Sequence, residues 1–267
     1  SLIMEAGGHL FLVRPNGKIS AYAPAYQSPG GEEPYIALSP GGCFGGQTLY
    51  ALRLHRPRGV LSVSRSGQVR QFAGVVAPGL LDGITFGWGK LLVTINHGST
   101  TTVDTINCGG RVQAVTRTAP KVEGGIAMAP ATFGRFAGDL IAPDENGGHV
   151  YAVTPGGRSF LVANSGLPHG GDIGVESEGF VPAGRVRAIL ADRFTPGNRH
   201  PGDDVLLQLD ADVLRSSGVQ PGDLIVATEG GARTEDIRCA QTGCSVRHIA
   251  DGPSEAHGEG HIAFVAG

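Results

Sequence analysis

The sequence lacks the features that would place it in several large classes of protein. No apolar run approaches the roughly 20 residues of a membrane span. The 267 residues carry a formal net charge of −3, which gives no reason to expect a nucleic acid or an anionic membrane as a partner. The hydrophobic fraction of 40% is ample for a core, so a disordered chain is excluded. We therefore expect a globular protein that binds neither nucleic acid nor membrane.

Several catalytic and binding signatures are also missing. There is no Gly-x-Ser-x-Gly elbow to support serine-hydrolase chemistry. The glycine-rich stretch 41–46 lacks the Lys-Ser/Thr pair of a phosphate-binding loop. Trp88 is the single tryptophan, which argues against a lectin that stacks a sugar on an aromatic side chain in each repeat.

Cysteines are few, but their number is even. Cys239 and Cys244 lie between two β-type runs, a spacing that favours a disulfide across a hairpin. Cys43 and Cys108 could pair only through tertiary contact. Two cysteines in one loop are also compatible with a metal site, but no second Cys/His pair has zinc-site spacing. Disulfides predict a secreted or periplasmic protein whose signal peptide has been removed, and we expect a monomer.

One phrase returns five times: an acidic residue, usually followed by glycine, and then a short apolar β-type run. The phrases begin at Glu33, Asp82, Glu123, Glu178 and Glu259, at intervals of 49, 41, 55 and 81 residues. Repeats with periods of tens of residues are typical of solenoids and propellers. Further β-type runs follow each phrase, split by glycine turns such as those at Gly67, Gly110 and Gly157. Four strands per repeat is the blade of a β-propeller.

We therefore predict an all-β fold, a β-propeller of five blades in a single domain over residues 1–267. Six blades are the alternative, because the 81-residue interval is too long for one blade. Within it, 222–227 resembles 138–142, which favours six, but no inner-strand phrase precedes it at the right distance, which favours five. The C-terminal run resembles an inner strand without partners, and the N-terminal runs resemble partners without an inner strand. Pairing of the N- and C-terminal strands would close the ring and remove exposed edges.

In a blade, the start of the inner strand and the end of the second strand open on the same face. The five acidic residues would then ring one mouth of the central channel. Carboxylates so close together need compensation, and a divalent cation with oxygen ligands, Ca²⁺ above all, would supply it. In the alternative interpretation, each acid only hydrogen-bonds the backbone of the adjacent blade. The ends of second strands add Asn96, His97, Asp144, Asn146, Asp192 and Arg193 to this face.

Histidines are the second group of candidate functional residues. Imidazole is suited to this role because it can take up and release protons near neutral pH. Six of the nine fall in ends or loops that open on the predicted face: His55, His97, His149, His169, His200 and His257. We expect His257, His149 and Arg193 to contact substrate. In His257-x-Glu259-x-His261, the alternate side chains would share one side of an extended strand, which is compatible with a metal.

The acid–Gly–apolar phrase, Asn96 and the cluster at 144–146 resemble the calcium-dependent propeller superfamily of senescence marker protein 30 and the gluconolactonases. The resemblance implies a metal held by Glu123 or Glu33, by Asn96 and Asn146, and by Asp144 or Asp192. Those relatives begin with a Glu-x-Pro-x-Trp segment, whereas this chain has Pro34 and Tyr35 and no Trp there. The full set of predicted metal ligands is Glu33, Asp82, Glu123, Glu259, Asn96, Asp144 and Asn146.

The resemblance also implies an activity, hydrolysis of a lactone, an ester or a sugar-derived small molecule at the channel mouth. The metal would polarise the carbonyl, and Asp192, Glu178 or His97 would take a proton from the attacking water. Two alternatives stay open. One is a glycan-acting propeller with paired catalytic carboxylates, and the other is a secreted, non-catalytic binding propeller with a structural metal.

Overall fold

A computed structural model describes residues 1–29, 33–171 and 173–267. The chain divides into two compact units, Ser1–Thr118 and Ala119–Gly267. Six sheets of three or four strands make up the fold, which is all-β and of the six-bladed β-propeller class. The predicted fold class is confirmed, with the alternative count of six blades in place of the preferred five. The prediction of a single domain stays a prediction.

Unit 1 contains three sheets, each built from strands that follow one another in sequence. Their orders are β1-β2-β3, β4-β5-β6-β7 and β11-β10-β9-β8. The strands are β1 Leu2–Ala6, β2 His9–Val13, β3 Ile19–Tyr22, β4 Ile36–Pro40, β5 Gly46–Arg53, β6 Gly59–Val63, β7 Val69–Gly74, β8 Leu80–Gly87, β9 Lys90–Asn96, β10 Thr100–Ile106 and β11 Val112–Pro120.

Unit 2 contains the other three sheets and the one α-helix of the described residues. The sheet orders are β12-β13-β14-β15, β16-β19-β20-β21 and β18-β17-β22. The elements are β12 Ala127–Met128, β13 Leu140–Asp144, β14 His149–Val153, β15 Ser159–Asn164, β16 Val175–Phe180, β17 Val186–Asp192, β18 Val205–Leu209, α1 Ala211–Ser216, β19 Leu224–Thr228, β20 Thr234–Ala240, β21 Gly243–Ala250 and β22 Gly258–Ala266. No helix within the described ranges has the length and apolar character that crossing a membrane requires.

A recurrent tight turn confirms the predicted glycine turns between strands. Gly67, Gly110 and Gly157 have φ of 82°, 78° and 81°, a left-handed conformation that glycine adopts without a steric penalty. Each amide donates to the carbonyl three residues back, as Gly67 N does to Ser64 O at 2.8 Å. Gly17 makes the same turn between β2 and β3, with φ of 77°. The shared turn identifies β2 and β3 as the last two strands of a blade.

The blade count was difficult to predict because one sheet is interrupted in sequence. Strand β16 does not pair with β17, the next strand along the chain, but with β19, where Phe180 lies opposite Leu224. Strands β17 and β18 and helix α1 are inserted between these partners. The run 222–227, which lacked an inner-strand phrase close before it, therefore does have an inner strand, and it is β16.

The predicted pairing of N- and C-terminal strands is wrong. The C-terminal strand β22 pairs with β17, with Ala188 opposite Phe264, whereas β1 pairs with β2. Because β16 pairs with β19, β17 has an edge available to β22. Apolar residues hold this arrangement, since Ala188, Leu190 and Ile262 pack in one buried cluster of unit 2.

Both disulfides are present, and no free cysteine occurs among the described residues. Cys239 and Cys244 lie opposite each other in the β20–β21 hairpin, as predicted. Cys43 and Cys108 are joined within unit 1, with their Cα atoms 5.7 Å apart. The disulfides favour the predicted secreted or periplasmic location, which stays a prediction.

Candidate functional site

Two chain segments of unit 2 bring a buried ionic cluster together. Glu229 follows the end of β19, His257 precedes β22, and Glu259 is the second residue of that strand. Nε2 of His257 contacts Oε1 of Glu229 and lies 3.0 Å from Oε1 of Glu259. The three side chains are each less than a tenth exposed. We call Glu229, His257 and Glu259 the His257 cluster.

Backbone hydrogen bonds fix the loop that carries Glu229. Its amide donates to Gly174 O and its carbonyl accepts from Gly258 N, both at 2.7 Å. The next residue, Gly230, forms a bridge with His257. A Cβ at Gly230 would lie 2.9 Å from carbon atoms of His200 and of Ile173, so a larger residue would push the loop away. The loop is held on both sides, and Glu229 is fixed against the imidazole.

The end of β17 supports the cluster from a second side. Oδ1 of Asp192 accepts a hydrogen bond from the backbone N–H of His257 at 2.9 Å. Burial raises the pKa of Asp192, the His257 amide opposes this shift, and the neighbouring Asp203 carboxyl adds to it. The Gly202 backbone folds over this carboxylate, since a Cβ there would lie 2.3 Å from Asp192 Oδ1. Asp192 thus positions His257 and is itself a carboxylate with an increased proton affinity.

Charge decides the protonation state of His257. Burial lowers its pKa, but the hydrogen bonds and charges of Glu229 and Glu259 outweigh burial and raise the pKa to about 10. The ring is therefore an imidazolium at neutral pH, placed between two carboxylates. Its other nitrogen, Nδ1, has no hydrogen-bond partner among the described residues.

Arg193 connects the cluster to solvent. Its Nη1 lies 3.1 Å from Oε1 of Glu259, and its side chain is 24% exposed. A carboxylate oxygen of Glu176 also lies within 4.8 Å of one of Glu259. When all are ionised, four carboxylates (Asp192, Glu176, Glu229 and Glu259) face two cations (His257 and Arg193). The carboxyl group of Asp203 lies beside Asp192 as well, so carboxylates outnumber the cations of the site.

Comparisons with known proteins identify a fold and no family. No protein-family model matches the sequence, and no curated protein matches it. Solved structures do match. A chain of a nidogen–laminin complex is 13% identical, with a TM-score of 0.56 over 96% of this chain and 76% of that one. A streptogramin B lyase is 10% identical, with a TM-score of 0.50 over 95% of this chain and 80% of that one.

A structure described as a putative gluconolactonase is also similar. It is 15% identical, with a TM-score of 0.47 over 95% of this chain and 83% of that one. The predicted architecture-level resemblance is confirmed in the fold, which is that of a β-propeller. At such identities the likeness is one of fold alone.

The predicted motif His257-x-Glu259-x-His261 holds for its first two members and not for the third. Gly260 has φ of 81°, and the pairing of β22 with β17 shifts register between Ile189 and Ala191. Such a bulge changes the side on which the following residues point. Nε2 of His261 consequently lies 3.2 Å from the carbonyl oxygen of Ile126, away from the His257 cluster.

The acidic residues of the five phrases differ in their burial. Glu33 and Asp82 belong to unit 1, where Glu33 is exposed just before β4 and Asp82 is half-buried in β8. In unit 2, Glu123 is paired with Lys121 Nζ at 2.8 Å, and Glu178 is fully buried in β16. Glu259 alone of these unit 2 acids belongs to the His257 cluster.

Predicted ligands at second-strand ends hold the turns that follow their own strands. Oδ1 of Asn96 accepts from Gly98 N at 2.8 Å, and Oδ1 of Asp144 accepts from Gly147 N at 3.0 Å. Nδ1 of His149 is 3.6 Å from Oδ2 of Asp144. The remaining predicted members are Asn146, which is exposed, and His97, whose Nε2 is 2.8 Å from Thr102 Oγ1.

The carboxylate and imidazole donors that converge in unit 2 fit a calcium site poorly. Ca²⁺ takes six to eight oxygen ligands. Among the described residues of unit 2, the carboxylate and imidazole donors that converge within 4.8 Å are Glu229, His257 and Glu259. A set of two carboxylates and one imidazole suits Zn²⁺ or Mn²⁺ better.

Sequence reasoning missed Glu229, the central acid of the cluster. It follows β19, the second strand of its sheet, and so occupies the same kind of position as Asn96, Asp144 and Asp192. The signal was present in Glu229-Gly230-Gly231. It could be recognised only once β16 was known to be the partner of β19.

Proposed function

We propose that this protein is a metal-dependent hydrolase of a small lactone or ester, with its divalent cation held by Glu229, His257 and Glu259. The observation that carries the proposal is the convergence of these donors within 4.8 Å in a buried setting. Carboxylate oxygens and an imidazole nitrogen are a donor set that Zn²⁺ and Mn²⁺ take in proteins. The excess of carboxylates over cations around the cluster supports a divalent over a monovalent ion.

The donor set supports Zn²⁺ or Mn²⁺ over the Ca²⁺ expected from sequence. When bound, a divalent cation supplies Lewis-acid polarisation of a carbonyl and acidification of a water. His257 would serve through Nε2, which requires loss of the proton that it holds in the ion pairs. Glu229 and Glu259 would each contribute one carboxylate oxygen.

The surrounding residues supply the remaining chemistry. Asp192, with its raised pKa, is suited to accept a proton from water near neutral pH. The exposed side of Arg193 gives the site a cation that can donate hydrogen bonds to the carbonyl oxygen of a substrate or to the carboxylate of a product. Burial of the cluster excludes bulk water, which strengthens each of these interactions.

The test combines metal binding with turnover. Protein freed of metal by EDTA should bind Zn²⁺ or Mn²⁺ with one ion per chain by calorimetry, and metal should restore hydrolysis of simple lactones and aryl esters. Glu229→Gln should abolish both. Glu235→Gln is the matched control, because Glu235 is also buried in unit 2 but is paired with His248 at 3.1 Å.

The outcome also separates the alternatives. Chelator-insensitive release of reducing sugars from polysaccharides would replace the proposal with a glycan-acting enzyme. Metal binding that raises the melting temperature without turnover of any lactone, ester or glycan would leave a binding propeller. Failure to bind any divalent ion would make the cluster a structural ion network and would end the proposal.

A further inference from the structure

An apolar slot lies between two sheets of unit 2. It has a volume of about 170 Å³ and is bounded by the sheet β16-β19-β20-β21 on one side and the sheet β18-β17-β22 on the other. Its walls include Ala188, Leu190, Leu207, Ile225, Ala227 and Ile262. The slot is partly open to solvent, and a concave, mostly apolar recess of this kind is typical of a small-molecule site.

The strands that form two walls of the slot continue beyond its lining residues to carboxylates of the candidate site. Ala188, Leu190 and Asp192 alternate along β17 and so share one face of that strand. On the facing wall, Glu229 comes two residues after Ala227. The apolar positions of each strand thus run into a carboxylate of the candidate site.

A direct contact joins the slot to the cluster. A Cβ at Gly258, the residue after His257, would lie 3.1 Å from Cδ2 of Leu190. Leu190 therefore packs against the backbone that carries His257. A ligand that is apolar at one end and polar at the other can lie with its apolar part beside Leu190 and its polar part at the cluster.

We infer that the slot binds the apolar substituent of the substrate, so that the preferred substrate is a lactone or ester that carries an alkyl chain or a ring. This inference rests on the proposed function. The occupant is neutral and hydrocarbon-like, since the walls are mostly aliphatic and the carboxylate of Asp251 in the lining disfavours an anionic group.

The volume sets the size of the substituent. A cavity of about 150 Å³ lined by aliphatic and aromatic side chains takes up benzene. The slot should accordingly hold a group of about six carbons, such as a hexyl chain or a phenyl ring. A lactone with no substituent would leave the slot empty, so the slot would not increase its binding affinity.

Two adjacent leucines on β18 provide a matched pair of variants. Leu207 lies opposite Leu190 and lines the slot, whereas Leu206 lies opposite Ala191 and points to the other face. Both are half-buried on the same strand. Leu207→Trp should fill the slot. Leu206→Trp adds the same side-chain volume to the same strand but should not enter the slot.

The first measurement is binding, with ketones that mimic a lactone but cannot be hydrolysed. 2-Hexylcyclopentanone should raise the melting temperature of the wild type and of Leu206→Trp, but not of Leu207→Trp, and cyclopentanone should raise none. The second is turnover of γ-lactones with increasing alkyl substituents. kcat/KM should rise with chain length to about six carbons, by roughly tenfold or more in total, and Leu207→Trp should remove this rise.

The outcomes distinguish this inference from the proposed function. Binding of the hexyl ketone that Leu207→Trp abolishes, with no lactone hydrolysed, would support the slot as a ligand site and reject the hydrolase. Hydrolysis independent of chain length, with no stabilisation by the hexyl ketone, would reject the slot and keep the hydrolase. Equal binding of the ketone to both tryptophan variants would also overturn the inference.

Discussion

His257 Nε2 lies 3.0 Å from Oε1 of Glu259, two residues further along the chain, and both side chains are less than a tenth exposed. The same nitrogen contacts Glu229, which follows the end of β19. A buried imidazolium thus joins β22 to the loop after β19. The ion pairs hold the fold in the absence of a metal, and the same atoms form the candidate metal site.

Replacement of His257 should destabilise the protein and change its pH dependence. His257→Gln leaves two buried carboxylates without their cation, so the free energy of unfolding should fall by about 3–5 kcal/mol near pH 7. The pKa of His257 is raised from 6.5 to about 10. Its stabilising effect is therefore complete below about pH 6.5 and is lost as the pH rises through about 10.

Urea titrations between pH 6 and 10 would measure this effect. The wild type should lose stability steadily over that range, whereas His257→Gln should lack this part of the pH dependence. His248→Gln is the control, since His248 is 45% exposed and pairs with Glu235 at the surface. A wild type with pH-independent stability over this range would show that His257 is not held as an imidazolium.

Metal binding should compete with the proton on His257. A cation can take Nε2 only after that proton leaves, so the apparent affinity for Zn²⁺ or Mn²⁺ should rise about tenfold per pH unit up to about pH 10. Calorimetry in two buffers of different ionisation enthalpy would count the protons released. We expect about one per ion, and zero would show that the ion binds elsewhere.

Glu178 should behave as a buried acid that weakens the fold when it ionises. Burial raises its pKa well above 4.5, and the backbone N–H of Ala127 offsets this only in part. The folded state then holds a proton that the unfolded state has released, so stability should fall as the pH rises above about 4.5. Glu178→Gln keeps the shape and should raise the free energy of unfolding at pH 7 by on the order of 1 kcal/mol or more.

Chemical denaturation at pH 5 and pH 7 would check the Glu178 prediction. The gain from Glu178→Gln should be small at pH 5 and larger at pH 7. Glu123→Gln provides the comparison, because Glu123 is half-buried and paired with Lys121. An equal loss of stability at both pH values would mean that the carboxylate makes favourable contacts in the core.

The repeated strands could be predicted from the sequence because their signals are local. Alternating apolar residues and the glycine turns at Gly67, Gly110 and Gly157 specify hairpins whose strands are neighbours in the chain. The pairing of β16 with β19 in unit 2, across the inserted strands β17 and β18, has no such local signal. The preference of β16 for β19 over β17 depends on which surfaces pack together, and no spacing in the sequence shows that.

The candidate site shows the same limit. The pair His257 and Glu259 could be predicted because alternation in an extended segment brings the two side chains to one side. The divergence of His261 depends on the bulge at Gly260, and the arrival of Glu229 depends on the β16–β19 pairing. Local periodicity therefore predicts that His257 and Glu259 lie together. The position of Glu229 beside them is determined by tertiary strand pairing, which local periodicity does not show.

The two disulfides should differ in their contribution to stability. Cys43–Cys108 closes a loop of 65 residues and Cys239–Cys244 a loop of five. Restriction of the unfolded chain grows with the logarithm of loop length, which gives about 4 kcal/mol for the longer loop and about 2 kcal/mol for the shorter. Paired Cys→Ser variants of each disulfide, unfolded in urea, would measure the difference. Equal losses would mean that effects within the folded hairpin, and not loop closure, dominate the contribution of Cys239–Cys244.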